Sequence, residues 1–314
     1  MKVLIIDETH PILIENLENK GYKVYQDADM SREKLLDSIH TYNALIIRSK
    51  IEIDREIIDR GENLICIARV GAGLDAIDIE YAEEKGIAVL NSPEGNRDAV
   101  AEHAMGMLLS LFNNLIRADA EVRDGLWKRE ENRGYELMGK TVGIIGYGNI
   151  GKAFAQRLSG FGVEVIAYDK YKEGYGDKYG KEVGLEEIFQ ESDIVSLHIP
   201  LSKENKYMVD YEFLSRFQKP IYLINTARGR VVRTKDLIRS IEEGKVLGAC
   251  LDVIEYEAFS SELIRDESIN KELTKLFSMK NIILSPHIAG WTFESHYKLA
   301  NFLSQKIIKA LESA

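Results

Sequence analysis

TVGIIGYGNIGKAFAQRLSGFGVEVIAYDK, the stretch Thr141–Lys170, decides the fold of this 314-residue chain. An apolar strand leads into the glycine-rich turn Gly146–Gly151, an amphipathic helix follows, and a second apolar strand ends at Asp169. A GxGxxG turn between a strand and a helix, with an acid after the next strand, fits a dinucleotide-binding unit of roughly thirty residues. The stretch therefore predicts a Rossmann-type βαβ unit.

Each part of this turn has a physical task. Gly146 permits the tight turn, Gly148 lets the backbone approach a pyrophosphate, and Gly151 lets the helix lie close to the strand. The free N–H groups at the helix start attract an anion. Asp169 can accept hydrogen bonds from a ribose 2′-hydroxyl and would repel a 2′-phosphate, so we expect NAD rather than NADP. We expect the whole turn to bind NAD: Gly146, Tyr147, Gly148, Asn149, Ile150 and Gly151.

The composition is that of a globular protein, with 45% hydrophobic and 29% charged residues. A net charge of −10 argues against nucleic acid or an anionic membrane as the main partner. Cys66 and Cys250 lie in apolar runs and predict buried thiols, with neither a disulfide nor a metal site. The N-terminus enters a strand pattern directly and no apolar run reaches spanning length, so we expect a cytoplasmic protein without a signal peptide.

Strand and helix patterns alternate along almost the whole chain, which predicts parallel sheets with helices on both faces. In the first part, five strands with helices between them predict a flavodoxin-like unit, at 3–7, 22–26, 44–49, 64–70 and 88–91. The second part predicts further strands at 163–169, 194–200, 221–227, 247–253 and 281–286.

Two long segments join these parts. Residues 97–117 are mostly apolar and predict a buried crossing helix, and the charged segment 118–138 predicts a surface arm. The first unit lacks a closing helix, so we expect the amphipathic helix at 291–311 to return to it. The expected fold class is α/β, with two doubly wound parallel-sheet domains and a ligand-binding cleft between them. The expected limits are 1–95 plus 288–314 for a flavodoxin-like substrate domain and 96–287 for a Rossmann NAD-binding domain.

Polar side chains follow four strands of the dinucleotide unit, on the edge where such sheets bind ligands. They are His198 with Pro200, the run Asn225–Gly229, Asp252 with Glu255 and Glu257, and the run Ser285–His287. Any one of them is also typical of a helix cap. Four such strand ends beside one dinucleotide turn favour a catalytic edge.

Three of these residues suit hydride chemistry on a hydroxy acid. Arg228 can hold a carboxylate and polarise a carbonyl, because its planar fork matches a carboxylate. His287 can move the hydroxyl proton near neutral pH, and Glu257 can support its charged form. Among the other histidines, His198 is expected to line the cofactor site and His103 to be packed within the long helix. The remaining three are expected to be structural: His10, His40 and His296.

These residues carry a resemblance to a known family. The motifs are IRS (47–49), RVGAGLDAID (69–78), NSPEGNRDAVAEH (91–103), GIIGYGNIG, LHIPL, NTARG, LDVIEYE and SPHIAG. In this order, over most of the chain, they resemble the D-isomer-specific 2-hydroxyacid dehydrogenase family, and within it the D-3-phosphoglycerate dehydrogenases.

The resemblance implies a role for each matching position. Arg228 would be the catalytic and substrate-binding arginine, His287 the acid–base catalyst and Glu257 its partner. The further cofactor positions are Asp169, His198, Pro200, Thr226, Ala227, Asp252, His287 and Gly290, with Asp252 near the nicotinamide amide. The substrate positions are Arg48, Ser49, Arg69, Gly71, Ala72, Gly73, Asn96 and Arg228, with the N–H groups of 71–73 holding the carboxylate.

The implied reaction is NAD-dependent oxidation of D-3-phosphoglycerate to 3-phosphohydroxypyruvate in serine biosynthesis, with Arg48 and Arg69 as cations for the phosphate. Hydroxypyruvate or glyoxylate reductases and other D-2-hydroxyacid dehydrogenases share most of the motifs and stay open as alternatives. An NAD-sensing corepressor-like binding protein is a further alternative. Formate dehydrogenases of the superfamily have Gln where this chain has Glu257, so the acid argues against formate oxidation.

Further expectations concern the chain as a whole. The apolar helix and Trp127 of the arm need cover, which favours a symmetric homodimer, and Arg129 and Arg133 are candidates to reach a neighbouring site. The family commonly has a Pro soon after the catalytic Glu, whereas residues 258–273 read as a longer helical insert at the site rim. The chain ends soon after its last helix, so we expect no regulatory ACT domain and no serine feedback through one.

Overall fold

The structure is a computed structural model and describes residues 1–257 and 267–314. The chain forms two compact units, one from Met1–Arg97 with Trp291–Ala314 and the other from Asp98–Gly290. The expected domains, with the substrate bound by one and NAD by the other, stay a prediction. Of the expected insert after Glu257, residues 258–266 lie outside the described residues.

The first unit is built on a parallel sheet of five short strands. They are β1 (Lys2–Ile5), β2 (Lys23–Gln26), β3 (Ala44–Ile47), β4 (Cys66–Arg69) and β5 (Ala88–Leu90). Their order is β2-β1-β3-β4-β5, which confirms the predicted flavodoxin-like arrangement. Its helices are α1 (Pro11–Asn19), α2 (Arg32–Ser38), α3 (Arg55–Arg60), α4 (Ile79–Glu84) and, at the C-terminus, α12 (Phe293–Glu312). Strands β1, β3 and β4 are almost entirely buried, as expected for strands with both faces covered.

The C-terminal helix α12 packs on this unit beside α1. Asn16 on α1 donates hydrogen bonds to Ser304 Oγ at 2.8 Å and to Asn301 Oδ1 at 3.1 Å. The helix begins in a capping box, in which Thr292 and Ser295 exchange side-chain and backbone hydrogen bonds. One apolar core joins α12 to the sheet, including Val3, Cys66, Leu299, Leu303 and Ile307.

The second unit is built on a parallel sheet of seven strands. They are β6 (Thr141–Ile145), β7 (Glu164–Tyr168), β8 (Lys181–Glu182), β9 (Ile194–Leu197), β10 (Ile221–Asn225), β11 (Val246–Leu251) and β12 (Ile282–Leu284). The order β12-β11-β10-β9-β6-β7-β8 is that of a doubly wound Rossmann sheet, which confirms the predicted fold class. The helices are α5 (Arg97–Phe112), α6 (Leu115–Arg123), α7 (Asn149–Leu158), α8 (Leu185–Glu191), α9 (Tyr211–Ser215), α10 (Thr234–Glu242) and α11 (Glu267–Ser278).

The helix predicted over 97–117 is broken in the structure. Asn114, between α5 and α6, has a left-handed φ of 52°, a conformation in which an α-helix cannot continue. Its side chain donates to the backbone carbonyls of Asn132 and Arg133, so the segment after α6 folds back onto the break.

The structure also bears on the cysteines and on membrane-spanning helices. Cys66 and Cys250 are free and fully buried, which confirms the predicted core thiols. Within residues 1–257 and 267–314, no helix combines the length and apolarity needed to cross a membrane.

Candidate active site

Six neighbouring strands of the second sheet end in one row. Their last residues are register partners from strand to strand: Tyr168, Ile145, Leu197, Asn225, Leu251 and Leu284. The residues that come next are therefore aligned on one edge: Asp169, Gly146, His198, Thr226, Asp252 and Ser285. With strands about 4.8 Å apart, this row is roughly 24 Å long. It is the carboxyl edge, where open parallel sheets bind ligands.

His287 and Glu257 lie side by side beyond the ends of β12 and β11. His287 Nδ1 is 3.2 Å from Glu257 Oε1, and 52% of the imidazole side chain is exposed. A carboxylate at Nδ1 favours a proton on that nitrogen and leaves Nε2 to take or give one. His287 also has a φ of 55°, in the left-handed region that side chains rarely adopt. The arrangement suits a general acid–base pair.

Asp252 holds the backbone of the loop that carries His287. Its carboxylate is buried and accepts the N–H groups of Ile288 and Ala289, each at 2.9 Å. Its backbone carbonyl accepts the N–H of His287 at 2.7 Å. These three hydrogen bonds fix the loop around His287, so Asp252 positions the imidazole through the backbone.

Ser285 and His103 complete this network. Ser285 Oγ lies 2.6 Å from Asp252 Oδ1 and 2.8 Å from His103 Nε2. A carboxylate can only accept, so the Ser285 hydroxyl donates to Asp252 and itself accepts from the Nε2–H of His103. His103, on α5, is therefore the packed and hydrogen-bonded histidine that the sequence predicts. Sequence reasoning did not single out Ser285 as its partner, because the two are far apart along the chain.

Arg228 lies in the loop after β10, and Asn225 shapes that loop. The buried Asn225 side chain accepts the N–H of Ala227 at 3.1 Å and donates to the carbonyl of Arg228 at 3.0 Å. The next residue, Gly229, has no room for a side chain, since a Cβ there would lie 1.8 Å from the carbonyl oxygen of Ile254. Arg228 Nη1 donates to the carbonyl of Ala227 at 2.7 Å. A guanidinium has five N–H donors, enough to hold this loop and a carboxylate together.

His198 and Thr226, in the middle of the row, carry polar atoms that suit a bound polar ligand. His198 Nδ1 and Thr226 Oγ1 are buried, and no described residue gives either a hydrogen-bond partner. Ser196 Oγ lies 2.9 Å from His198 Nε2, and burial lowers the pKa of His198 to about 3, so the ring is neutral at physiological pH. Buried polar atoms are seldom left unpaired, so these two atoms fit a ligand such as NAD along the row.

The glycine turn fits a pyrophosphate. Gly146 has a φ of 95°, and a Cβ on it would lie 2.4 Å from the carbonyl oxygen of His198. A Cβ on Gly151 would lie 2.1 Å from the carbonyl oxygen of Gly146, so the start of α7 touches the turn. Gly148 differs, because a Cβ on it would meet only Lys172 Nζ, at 3.9 Å. Gly148 is also the N-cap of α7 and offers no side chain to its free N–H groups, which begin at Asn149 and Ile150.

Asp169, after β7, is tied to the glycine turn. Its Oδ2 accepts the N–H of Tyr147 at 2.9 Å, and its Oδ1 accepts the N–H of Tyr171 at 3.1 Å. Each carboxylate oxygen has a further lone pair for a ribose hydroxyl. The Tyr147 side chain is buried, and its hydroxyl donates a hydrogen bond to Asp177 Oδ1 at 2.9 Å. Tyr147 therefore offers a ligand its backbone and not its side chain.

The loop after β4 in the first unit has available backbone N–H groups at residues 71–73, and we call these three residues the nest. The carbonyls of Gly71, Ala72 and Gly73 accept hydrogen bonds from Ser92 N–H, Asn91 Nδ2 and Arg69 Nη1, at 3.0, 2.6 and 2.6 Å. Within the described residues, the N–H groups of 71–73 donate to no protein acceptor. A turn with engaged carbonyls and available N–H groups suits a carboxylate.

The two arginines predicted to bind the phosphate, Arg48 and Arg69, have different surroundings. Arg69 donates to the carbonyls of Arg48 and Gly73, at 2.7 and 2.6 Å, and so supports the nest. The Arg48 guanidinium lies over the indole of Trp291, with 4.3 Å from Cζ to the ring centroid. Burial, and then the charge of Arg48, lower the pKa of the neighbouring His296. Sequence reasoning missed Trp291, whose signal is an aromatic residue directly after the SPHIAG motif.

The other predicted positions lie in loops. Pro200 and Gly290 follow β9 and β12, Ser49 is exposed after β3, and Asn96 has a buried Oδ1 that no described residue satisfies. In the arm, Arg129 is exposed and Arg133 pairs with Glu130 at 2.6 Å. Across the two described ranges, no group of His, Cys, Asp and Glu side chains is arranged to hold a metal ion.

Comparisons with known proteins show the family of the chain. Residues 105–289 match the model of the D-isomer specific 2-hydroxyacid dehydrogenase, NAD binding domain. The chain is 37% identical over 295 residues to a hydroxypyruvate reductase from Thermotoga maritima, covering 94% of this chain and 93% of that relative. It is 33% identical over 310 residues to a D-3-phosphoglycerate dehydrogenase from Archaeoglobus fulgidus, covering 98% of this chain and 57% of that relative.

A solved structure shares the whole fold. The crystal structure of a D-lactate dehydrogenase from Aquifex aeolicus, complexed with NAD and lactic acid, superimposes with a TM-score of 0.83 at 30% identity. The match covers 100% of this chain and 96% of that one. The glycine turn, the row of strand ends and the matched residues together establish NAD as the cofactor. The resemblance in the sequence is confirmed, and this chain belongs to the D-isomer-specific 2-hydroxyacid dehydrogenases, a family of NAD-dependent oxidoreductases.

Proposed function

We propose that this chain oxidises D-3-phosphoglycerate to 3-phosphohydroxypyruvate in serine biosynthesis. The glycine turn and Asp169 would hold NAD, which would supply the acceptor for the hydride of the substrate C2 carbon. His287 takes the hydroxyl proton at Nε2, and Glu257, 3.2 Å from Nδ1, stabilises the imidazolium that results. Arg228 holds the carboxylate and the C2 oxygen, where its charge stabilises the developing carbonyl.

The first unit supplies the substrate contacts of this proposal. The N–H groups of the nest 71–73 hold the substrate carboxylate. Ser49 and Asn96 are also proposed to contact the substrate. The observation that supports a phosphorylated substrate is the position of Arg48 at a strand end. Its guanidinium stacks on Trp291, with 4.3 Å between Cζ and the ring centroid. A stacked guanidinium is pre-oriented, and its N–H fork can bind phosphate oxygens in the plane of the stack.

A second candidate is reduction of hydroxypyruvate or glyoxylate. The observation in its favour is Arg69, whose guanidinium already holds two backbone carbonyls. With Arg69 engaged in this way, Arg48 alone would have to carry the phosphate. The Thermotoga maritima relative named for this activity also matches over nearly its full length.

Kinetics on four substrates separate the candidates: D-3-phosphoglycerate, hydroxypyruvate, glyoxylate and D-lactate. Under the first proposal, Arg48→Met lowers kcat/KM for phosphoglycerate by about 10- to 100-fold, the value of one charged hydrogen bond, and changes glyoxylate kinetics little. Arg55→Met is the matched control, because Arg55 also lies over an aromatic ring, Tyr81, at 4.8 Å. An equal loss on glyoxylate, or no turnover of phosphoglycerate by the unaltered protein, supports the reductase instead.

We also propose a homodimer. The break after α5 and the arm expose apolar side chains that a second copy would cover: Leu115, Ile116, Val122, Leu126 and Trp127. Exposed apolar groups of this extent typically mark an interaction surface, and closed twofold pairs are the commonest assembly.

A further inference from the structure

The loop after β7 places the ammonium of Lys172 beside Asp169. Lys172 Nζ lies 3.4 Å from Asp169 Oδ2 and donates to the carbonyl of Tyr147 at 2.9 Å. It is also the nearest atom to the position that a Cβ of Gly148 would occupy, at 3.9 Å. The ammonium therefore lies over the face of the glycine turn that the dinucleotide approaches.

The other lysines of this loop are engaged elsewhere. Lys170 Nζ pairs with Glu204 at 2.5 Å, and Lys178 lies over the ring of Tyr179. Lys152, on α7, pairs with Asp177 at 2.8 Å. Of these lysines, Lys172 is therefore the one whose ammonium lies next to the Asp169 carboxylate.

The loop is held in place, so the position of Lys172 is fixed at its backbone. The Tyr175 hydroxyl accepts the N–H of Asp169 at 2.8 Å and donates to the carbonyl of Ala167 at 3.0 Å. The Glu182 carboxylate accepts the N–H groups of Gly174 and Tyr175, at 3.2 and 2.9 Å. The side chain of Lys172 is 46% exposed, which lets its ammonium swing from the anchored backbone toward a ligand.

These contacts change the electrostatics of the ribose site. An acid after the second strand selects NAD because it repels a 2′-phosphate, whereas a cation nearby accommodates that phosphate. The Asp169 carboxylate is 11% exposed, and two backbone N–H groups and the Lys172 ammonium already compensate its charge. We infer that Lys172 binds the 2′-phosphate of NADP(H), so that this site takes NADP(H) as well as NAD(H).

The test measures dissociation constants from the fluorescence of bound NADH and NADPH, titrated with the full-length protein. The two ligands differ by one phosphate, so a general disturbance of the turn cancels in the ratio of Kd for NADPH to Kd for NADH. Lys172→Gln should raise this ratio about five- to tenfold, the range between an exposed and a charge-assisted contact. Lys170→Gln, two residues earlier and paired with Glu204, should leave the ratio unchanged.

Salt gives a second readout. Screening weakens an exposed ammonium–phosphate contact, so the ratio should rise with ionic strength in the unaltered protein and rise less in Lys172→Gln. The inference is overturned if the unaltered protein does not bind NADPH, or if Lys172→Gln changes both dissociation constants by the same factor. Because the readout is binding, the outcome does not depend on which hydroxy acid is the substrate.

Discussion

His287 combines a strained backbone with an acid–base environment. Its left-handed φ of 55° costs a residue with a side chain about 1–2 kcal/mol. The hydrogen bonds from the loop to Asp252 offset this cost, and the ring is left half-exposed with Glu257 at Nδ1. Strain of this kind concentrates at active sites, where it directs a side chain that a relaxed loop would turn elsewhere.

Replacing the imidazole should separate catalysis from cofactor binding. In the proposed mechanism His287 takes the hydroxyl proton, so His287→Ala should lower kcat by about 10²- to 10⁴-fold. The dissociation constant for NADH should change little, because the pyrophosphate and ribose contacts lie at the other end of the row. Steady-state kinetics give kcat, and fluorescence titration gives the Kd of NADH. The control variant is His40→Gln, because His40 is exposed. Normal turnover by His287→Ala would refute the mechanism.

His198 should make stability depend on pH in a known direction. Burial lowers its pKa from 6.5 to about 3, so below pH 6.5 the unfolded chain binds a proton that the folded chain does not. Stability is therefore lost as the pH falls, by about 2 kcal/mol between pH 7 and pH 5. Urea unfolding at both pH values should show that His198→Gln lacks this part of the loss. A variant that loses as much as the unaltered protein would contradict the burial of a neutral ring.

At the scale of elements, the catalytic loop depends on a network that joins α5, β11 and β12. His103 donates to Ser285, Ser285 donates to Asp252, and Asp252 accepts the N–H groups of Ile288 and Ala289. These hydrogen bonds connect the loop to α5, β11 and β12, so groups on all three elements hold it in place.

Removing the middle of this network should loosen the loop without removing any reacting group. Ser285→Ala leaves the His103 N–H and one Asp252 lone pair without their partner, and we expect kcat to fall about tenfold. The KM for the hydroxy acid should change less, because the substrate contacts remain. Ser285→Thr restores the hydroxyl and should recover part of kcat, while the exposed Ser278→Ala serves as control. An unchanged kcat in Ser285→Ala would show that Asp252 holds the loop unaided.

The elements show what the sequence can and cannot predict. The strands follow from apolar runs between turns and the fold class from their alternation with helices, and β9 to β12 lie where they are predicted. Each of these strands ends two or three residues before its predicted limit, as β9 does at Leu197, because the chain leaves the ladder as soon as site residues begin. The contact of Ser285 with His103 and the stacking of Arg48 on Trp291 depend on packing between distant segments, which periodicity does not encode.

At the scale of the whole molecule, the arm is the surface that we propose a second copy covers. Trp127 is 79% exposed and lies in the same arm as Leu126 and Val122, which are also exposed. The break at Asn114 ends the helix there, and the end of the arm returns to the break through the hydrogen bond of Asn114 to the Arg133 carbonyl.

Sedimentation velocity tests whether a second copy covers the arm. The unaltered protein should sediment as a dimer, and Trp127→Asp should shift it toward monomer, because a buried unpaired carboxylate disfavours an apolar interface. Phe277→Asp is the control, since Phe277 is an aromatic residue on α11, away from the arm, and is 46% exposed. A dimer that withstands Trp127→Asp together with Leu126→Asp would place the interface elsewhere.

The path of the chain between its two units has a consequence for how such proteins can be rebuilt. The chain leaves the first unit once, after Arg97, and re-enters it once, at Trp291, so the second unit is one uninterrupted segment. Two genetic junctions therefore suffice to exchange it for the equivalent segment of a relative. Such a chimera would acquire the donor's coenzyme preference and its counterpart of Arg228, while keeping the acceptor's nest, Arg48 and Arg69. Cofactor choice could then be engineered by exchanging one segment.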